Sequence, residues 1–439
     1  MGAVQRIRVC ATVVDVTPGV ISGLLTELRP HLEDATVVKC ALKALLTLVM
    51  ERGHYQLVFD AGALDLVARA LDIHGADSRM TLDALEVIGH VAVNLSDAAL
   101  LTSADSLSDI VRVVVAAMHI QRADLTVFWA CCDALFLLCD KSRVGKMNVS
   151  SDVAEQLVEV LHHALSDRFN DFGPHKFKVL RMLQSMTINP TVAGCANAAG
   201  CIELVIAALH HADIETSDWV HAYGCRALSQ LCVGYELERI DACGFVEVAF
   251  ESLRLFPDCH QTQGGGLSML LVYRVRLNGC ALDVDLFGPD AVQAALHAMR
   301  LGCQKINSVG IEVGDLGTSM VALMHLALKL LTSLNDTRPS SWLFPLLNEP
   351  ETAELLKRSL RWLDRVGETH ETLAVFVQRM TQGACCGCGE LQDTKMKMCA
   401  RCGKAAYCGP LCQRRHWPEH KRECKQQPTG TATGAREAE

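Results

Sequence analysis

The sequence predicts an all-α chain: a solenoid of stacked helical repeats over residues 1–380, then a small metal-stabilised module over 381–427. Three observations carry this expectation. An apolar helix pattern returns eight times at a near-constant spacing, a second helix pattern falls between its copies, and eight Cys and His residues close the chain as four ordered pairs. With 439 residues, 50% of them hydrophobic, there is ample material for sizeable cores.

The recurring pattern reads GVISGLL at 19–25, GALDLVARAL at 62–71, SLSDIVRVVV at 106–115 and VAEQLVEVL at 153–161. It continues as GCIELVIAAL at 200–209, GFVEVAFESL at 244–253, DAVQAALHAM at 290–299 and TAELLKRSL at 352–360. Aligned on Val67, the anchors are Ile21, Val67, Val111, Val158, Val205, Ala249, Ala295 and Leu356, separated by 46, 44, 47, 47, 44, 46 and 61 residues. A period in the mid-forties belongs to repeats of two or three helices that bury their apolar faces only against neighbours. The preceding helix of each unit shows apolar residues at i, i+3, i+4 and i+7 in ALKALLTL at 41–48, LDALEVI at 82–88, CDALFLL at 132–138, CRALSQL at 225–231 and LALKLL at 326–331. A turn glycine opens the last helix at 60–67, 198–205 and 241–249, and in this the chain resembles armadillo and HEAT repeat proteins. The resemblance implies an armadillo-like right-handed α-solenoid.

Two stretches break the period. Four glycines between 300 and 318 and the segment NDTRPSSWLFP at 335–345 predict loops, which would account for the 61-residue step. The glycines carry no P-loop lysine. Residues 428–439 are rich in Gly, Thr and Ala and are expected to be disordered.

The four pairs are Cys385/Cys388, Cys399/Cys402, Cys408/Cys412 and His420/Cys424. Eight thiolate and imidazole ligands suffice for two closed tetrahedral Zn²⁺ sites that leave no position for water or substrate. A segment this short cannot offset its chain entropy with a core alone, so metal must contribute folding free energy. Disulfides are the poorer choice. The chain has 21 Cys and no N-terminal apolar leader pattern, which together point to a reducing compartment, cytoplasmic or nuclear. Spacing alone leaves both sequential and interleaved pairing open, and Cys386 stands beside Cys385 as a rival first ligand.

Tyr407, Gln413, Trp417 and Lys421 fall around these ligands in the run YC…CQ…W..HK..C, and with the eight ligands they make the segment resemble the MYND-type zinc finger. The resemblance implies interleaved sites, one of Cys385, Cys388, Cys408 and Cys412, the other of Cys399, Cys402, His420 and Cys424. It also implies that the finger binds short proline-containing peptides of partner proteins through Gln413 and Trp417. An aromatic ring suits proline, whose extended form is already low in entropy. The plainer alternative is that Trp417 only covers the finger's small core. A RING-type cross-brace would end in C-x2-C, whereas this chain ends in H-x3-C.

Charge divides the chain. Of the net −9, residues 381–439 hold +4 and residues 1–380 hold −13, so the expected solenoid is acidic and favours basic or neutral partners. Lys395, Lys397, Arg401, Arg414, Arg415, Lys421 and Arg422 make the finger modestly cationic, which keeps nucleic acid as an alternative partner. The thirteen Cys outside the finger read as small hydrophobes in helix cores. His162, His163, His210 and His211 read as surface residues, and no apolar run reaches membrane-spanning length. No HExxH, GxSxG or kinase-type set occurs. Some MYND fingers lie in SET-domain methyltransferases, but this chain has no SET-like segment, and the expectation is a non-catalytic adaptor.

Overall fold

The computed structural model describes residues 2–12, 16–51, 53–94, 104–139, 149–166, 175–210, 218–234, 237–277, 288–309, 314–337, 350–365, 377, 397–399 and 405–424. The body is helical, and its backbone contacts divide at Phe256/Pro257 into two units.

In the first unit the helices are α1 (Ala3–Thr12), α2 (Pro18–Leu28), α3 (Ala35–Leu46), α4 (Tyr55–Asp60), α5 (Ala63–His74), α6 (Ser78–Asn94), α7 (Ala104–Ile120) and α8 (Leu125–Leu138). They continue as α9 (Ser151–Ser166), α10 (Lys176–Met186), α11 (Pro190–Ala198), α12 (Cys201–His210), α13 (Asp218–Leu231), α14 (Leu237–Ala242) and α15 (Phe245–Leu255). They pack as two rows in repeat order. The first row runs α1, α3, α6, α8, α10, α13, each helix on the next, and the second runs α2, α5, α7, α9, α12, α15. Cross-packing of α2 on α3, α5 on α6, α7 on α8, α9 on α10 and α12 on α13 joins the rows.

The recurring pattern marks this second row because its anchors face both neighbours. Ile21, Val67, Val111, Val205 and Ala249 are wholly buried, and Val158 is 4% exposed. Local chemistry sets the starts of the first-row helices. Asp34 accepts hydrogen bonds from the Thr36 and Val37 amides at the start of α3, and Asp124 does the same for Thr126 and Val127 at α8. Each satisfies amides that the first helical turn leaves unpaired. The turn glycines are also where the sequence places them: Gly62, Gly200 and Gly244 have φ of 73, 75 and 79°. Only glycine takes that left-handed conformation without strain.

The second unit holds α16 (His260–Leu277), α17 (Gly288–Val309), α18 (Gly314–Thr337) and α19 (Pro350–Arg365), then β1 (Lys397–Met398), β2 (Ala406–Tyr407) and α20 (Pro410–Glu423). Helices α16 to α18 pack on one another, and α19 packs on α17 and α18. Ala295 of α17 and Leu356 of α19 are fully buried, as their anchor positions require. The loop expected at 300–318 is corrected here. Helix α17 continues through Gly302 to Val309, and α18 begins at Gly314. Gly302 is a packing residue: a Cβ there would lie 2.7 Å from Met324 Cγ and 3.3 Å from the Met320 carbonyl oxygen, so the missing side chain lets α17 and α18 approach. Asn335 to Thr337 are likewise helical, whereas 338–345 and the tail 428–439 lie outside the described residues. Among the described residues no single helix is long and apolar enough to cross a membrane.

Candidate metal centre

A two-residue antiparallel ladder and one helix position the C-terminal ligands. Lys397 pairs with Tyr407 and Met398 with Ala406, and the Cys399 amide donates to the Ala405 carbonyl at 2.6 Å. This ladder holds Cys399 at the end of β1 and brings Cys408 to the end of β2. Pro410 then starts α20, where its fixed φ and missing amide hydrogen cost nothing. Cys412 falls in the first turn of α20, where the positive end of the helix dipole favours a thiolate. His420 and Cys424 lie four residues apart at its other end, on one face.

These elements bring the predicted ligands into two groups. The ligand atoms of Cys399, His420 and Cys424 all lie within 4.8 Å of one another, and the three residues are buried. The Cys399 and Cys424 sulfurs are 3.9 Å apart, and those of Cys408 and Cys412 are 3.4 Å apart. A tetrahedral zinc with Zn–S bonds of about 2.3 Å separates its thiolates by about 3.8 Å, so the donor types and spacing of Cys399, His420 and Cys424 fit zinc, while Cys408 and Cys412 supply two further thiol donors somewhat closer together. Cys399, from the second pair, meets the fourth pair across the intervening third. Cys385, Cys386, Cys388 and Cys402 lie outside the described residues. The groups sit at opposite ends of α20, on the order of 12 Å apart for eight residues of helical rise.

Among the described residues little else fills this module. Its buried cluster is Cys399, Ala405, Tyr407 and Cys424, with Cys408 and Cys412 packed against it. Four of those six are candidate ligands, so without metal the cluster keeps one large side chain, Tyr407. That ring is 1% exposed and its hydroxyl shares a hydrogen bond of 3.1 Å with His416 Nδ1. His416 stacks on His420 at 5.6 Å, and Tyr407 meets His420 edge-on at 6.2 Å. His420 is thus held from two sides. Sequence reasoning passed over His416; its one visible signal is the i, i+4 spacing to His420.

The two predicted peptide contacts lie one turn apart on α20. Trp417 meets His420 edge-on at 5.8 Å and remains 36% exposed, and Gln413 is half-buried. Of the predicted basic residues, Lys397, Arg414, Arg415 and Lys421 are exposed; Lys395, Arg401 and the side chain of Arg422 lie outside the described residues. Elsewhere His162 and His210 are exposed and His163 half-buried, while His211 lies outside the described residues.

Comparison with known proteins adds to this geometry. The human histone-lysine N-methyltransferase SMYD3 is 40% identical over 55 residues, 12% of this chain and 13% of the relative. The mouse protein of that name is 37% identical over 54 residues, with the same shares. The chain therefore spans about an eighth of the length of these curated relatives, and the likeness is confined to the finger. A solved structure from a study of the interaction between cadherin and β-catenin aligns over 85% of each chain at 14% identity, with a TM-score of 0.40. That similarity is too loose to decide the fold. Residues 384–424 match the family model of the MYND finger, and the C-terminal module is a MYND finger.

Proposed function

We propose that this chain is a non-catalytic protein-interaction adaptor, an armadillo-like right-handed α-solenoid whose MYND finger binds proline-containing peptide segments of partner proteins. Two Zn²⁺ complete the finger, one held by Cys385, Cys388, Cys408 and Cys412, the other by Cys399, Cys402, His420 and Cys424. Their role is structural, since four protein ligands leave a zinc no open position. They fix both ends of α20, and α20 presents Gln413 and Trp417.

The observation that carries this reading is the division of labour between two aromatic rings. Tyr407 occupies the interior, whereas Trp417 stays 36% exposed although it touches His420. A ring needed only to cover the core would be buried. A rigid, half-exposed indole beside an amide side chain offers a flat surface for proline and a hydrogen-bonding group for peptide backbone. Titration of the zinc-loaded protein with a proline-scanning peptide series tests this. Binding in the micromolar range is expected, and Trp417→Ala should abolish it with both zincs retained. Gln413→Ala should weaken it less, since an exposed neutral hydrogen bond contributes only about 0.5–1.5 kcal/mol. The second reading is nucleic-acid binding, favoured by exposed Lys397, Arg414, Arg415 and Lys421. Binding that ignores Trp417→Ala and falls steeply with salt would select it.

A further inference from the structure

The acidity of the first unit is not shared between its rows. The six helices of the second row carry eleven Asp/Glu and three Lys/Arg. The six of the first row carry nine Lys/Arg and four Asp/Glu. One face of the first row also carries a run of rings across three successive helices. Trp219 and Tyr223 of α13 stack at 5.8 Å, and Tyr223 stacks on Phe177 of α10 at 6.2 Å, both pairs at 23°. The Arg181 guanidinium lies 5.6 Å from the Phe177 centroid and 4.1 Å from that of Phe136 on α8. Arg181 and Lys178 share the single carboxylate of Asp133, which leaves one positive charge in excess around Phe177 and Phe136, while the Asp218 carboxylate lies beside Trp219 at the other end of the run. The end of the run is open to solvent, with Trp219 45% exposed.

We propose that this face of α8, α10 and α13 docks an extended acidic segment of a partner protein, with apolar side chains against Trp219 and Tyr223 and carboxylates toward Lys178 and Arg181. The proposal rests on reading the body as an interaction scaffold, but not on the finger. Charge complementarity selects the occupant. A basic segment meets a surplus of cations on this row, and the chain's net negative charge misleads because it is carried by the second row and by residues outside both rows. Aromatic rings with cations could also hold single-stranded nucleic acid, which needs free ring faces and an unbroken cationic track. Here Tyr223, Phe177 and Arg181 already cover one another, and Asp133 interrupts the track.

The test uses the full-length, zinc-loaded protein and fluorescence anisotropy with three labelled probes: a short peptide interspersing Glu with Leu and Phe, the same peptide with Lys for Glu, and oligothymidylate. The acidic peptide should bind and the basic one should not. Trp219→Ala, at a half-exposed site with little packing to lose, should weaken binding at least about tenfold. Lys178→Gln should weaken it too, with the helical circular dichroism of both variants unchanged. Trp417→Ala should leave it unaltered, which separates this surface from the finger. Equal binding of both peptides, indifference to Trp219→Ala, loss with Trp417→Ala, or displacement of the acidic peptide by oligothymidylate would each overturn the proposal.

Discussion

His221 shows how one residue ties the first unit to pH. It is 3% exposed, its Nδ1 lies 2.8 Å from Ser252 Oγ, and its ring lies 5.0 Å from that of Phe256. Burial, with a smaller contribution from nearby His210, lowers its pKa from 6.5 to about 4. The folded state therefore keeps the imidazole neutral where the unfolded chain would protonate it. Above pH 6.5 both states are neutral and nothing is lost. As pH falls from 6.5 toward 4 the unfolded state alone gains a proton, and stability should decline by as much as about 3 kcal/mol. Urea denaturation followed by helical circular dichroism at pH 7.5 and 5 checks this. His221→Asn should be less stable at the higher pH and lose less between the two. An equal pH loss in both proteins would show that His221 does not set it. None of this was legible in the sequence, because a histidine in an apolar pattern does not disclose whether its partner is Ser252 or water.

Among the elements, those with regular apolar spacing were readable and those that depend on a partner were not. The eight anchors of the recurring pattern all proved buried, because burial against two neighbours imposes an apolar residue at the same phase. Helix α10, which fills the first row between α8 and α13, was not legible: its Lys176, Lys178 and Arg181 break the apolar spacing, and Asp133 and Phe136 of α8 supply the partners of Lys178 and Arg181. Helix α16, with glycines at 264–266, gave no helical signal either. Gly302 misled in the opposite direction, since glycine marks close helix packing as readily as a turn. The turn glycines are a sharper case. Gly244 sits at φ 79° with nothing but Glu247 near its missing Cβ, so substitution there tests conformation alone. Gly244→Ala should cost about 1–2 kcal/mol, the strain of a left-handed residue, and Gly244→Asn distinctly less. Chemical denaturation of the three proteins measures it; equal stability of wild type and Gly244→Ala would mean that the turn is not held in that conformation.

For the whole molecule, net charge was the least reliable guide and ligand spacing the most. The sequence yields −13 for residues 1–380, and only the placement of helices in two rows separates a basic row from an acidic one. The finger was legible because metal chemistry fixes both residue type and interval, and few other sequences satisfy both. That Cys399 meets His420 and Cys424 was not legible, because it is the β1–β2 ladder and α20 that carry it past Cys408 and Cys412. The functional reading depends on that scaffold, since it is what holds α20 and exposes Trp417. Native mass spectrometry of zinc content in the intact protein, in Cys399→Ser, in His420→Ala and in the double variant tests it most directly. Interleaved sites predict two zincs in the wild type and one in all three variants, because both substitutions fall in one site. A single zinc in the wild type, or a double variant with none while each single variant keeps one, would contradict the account.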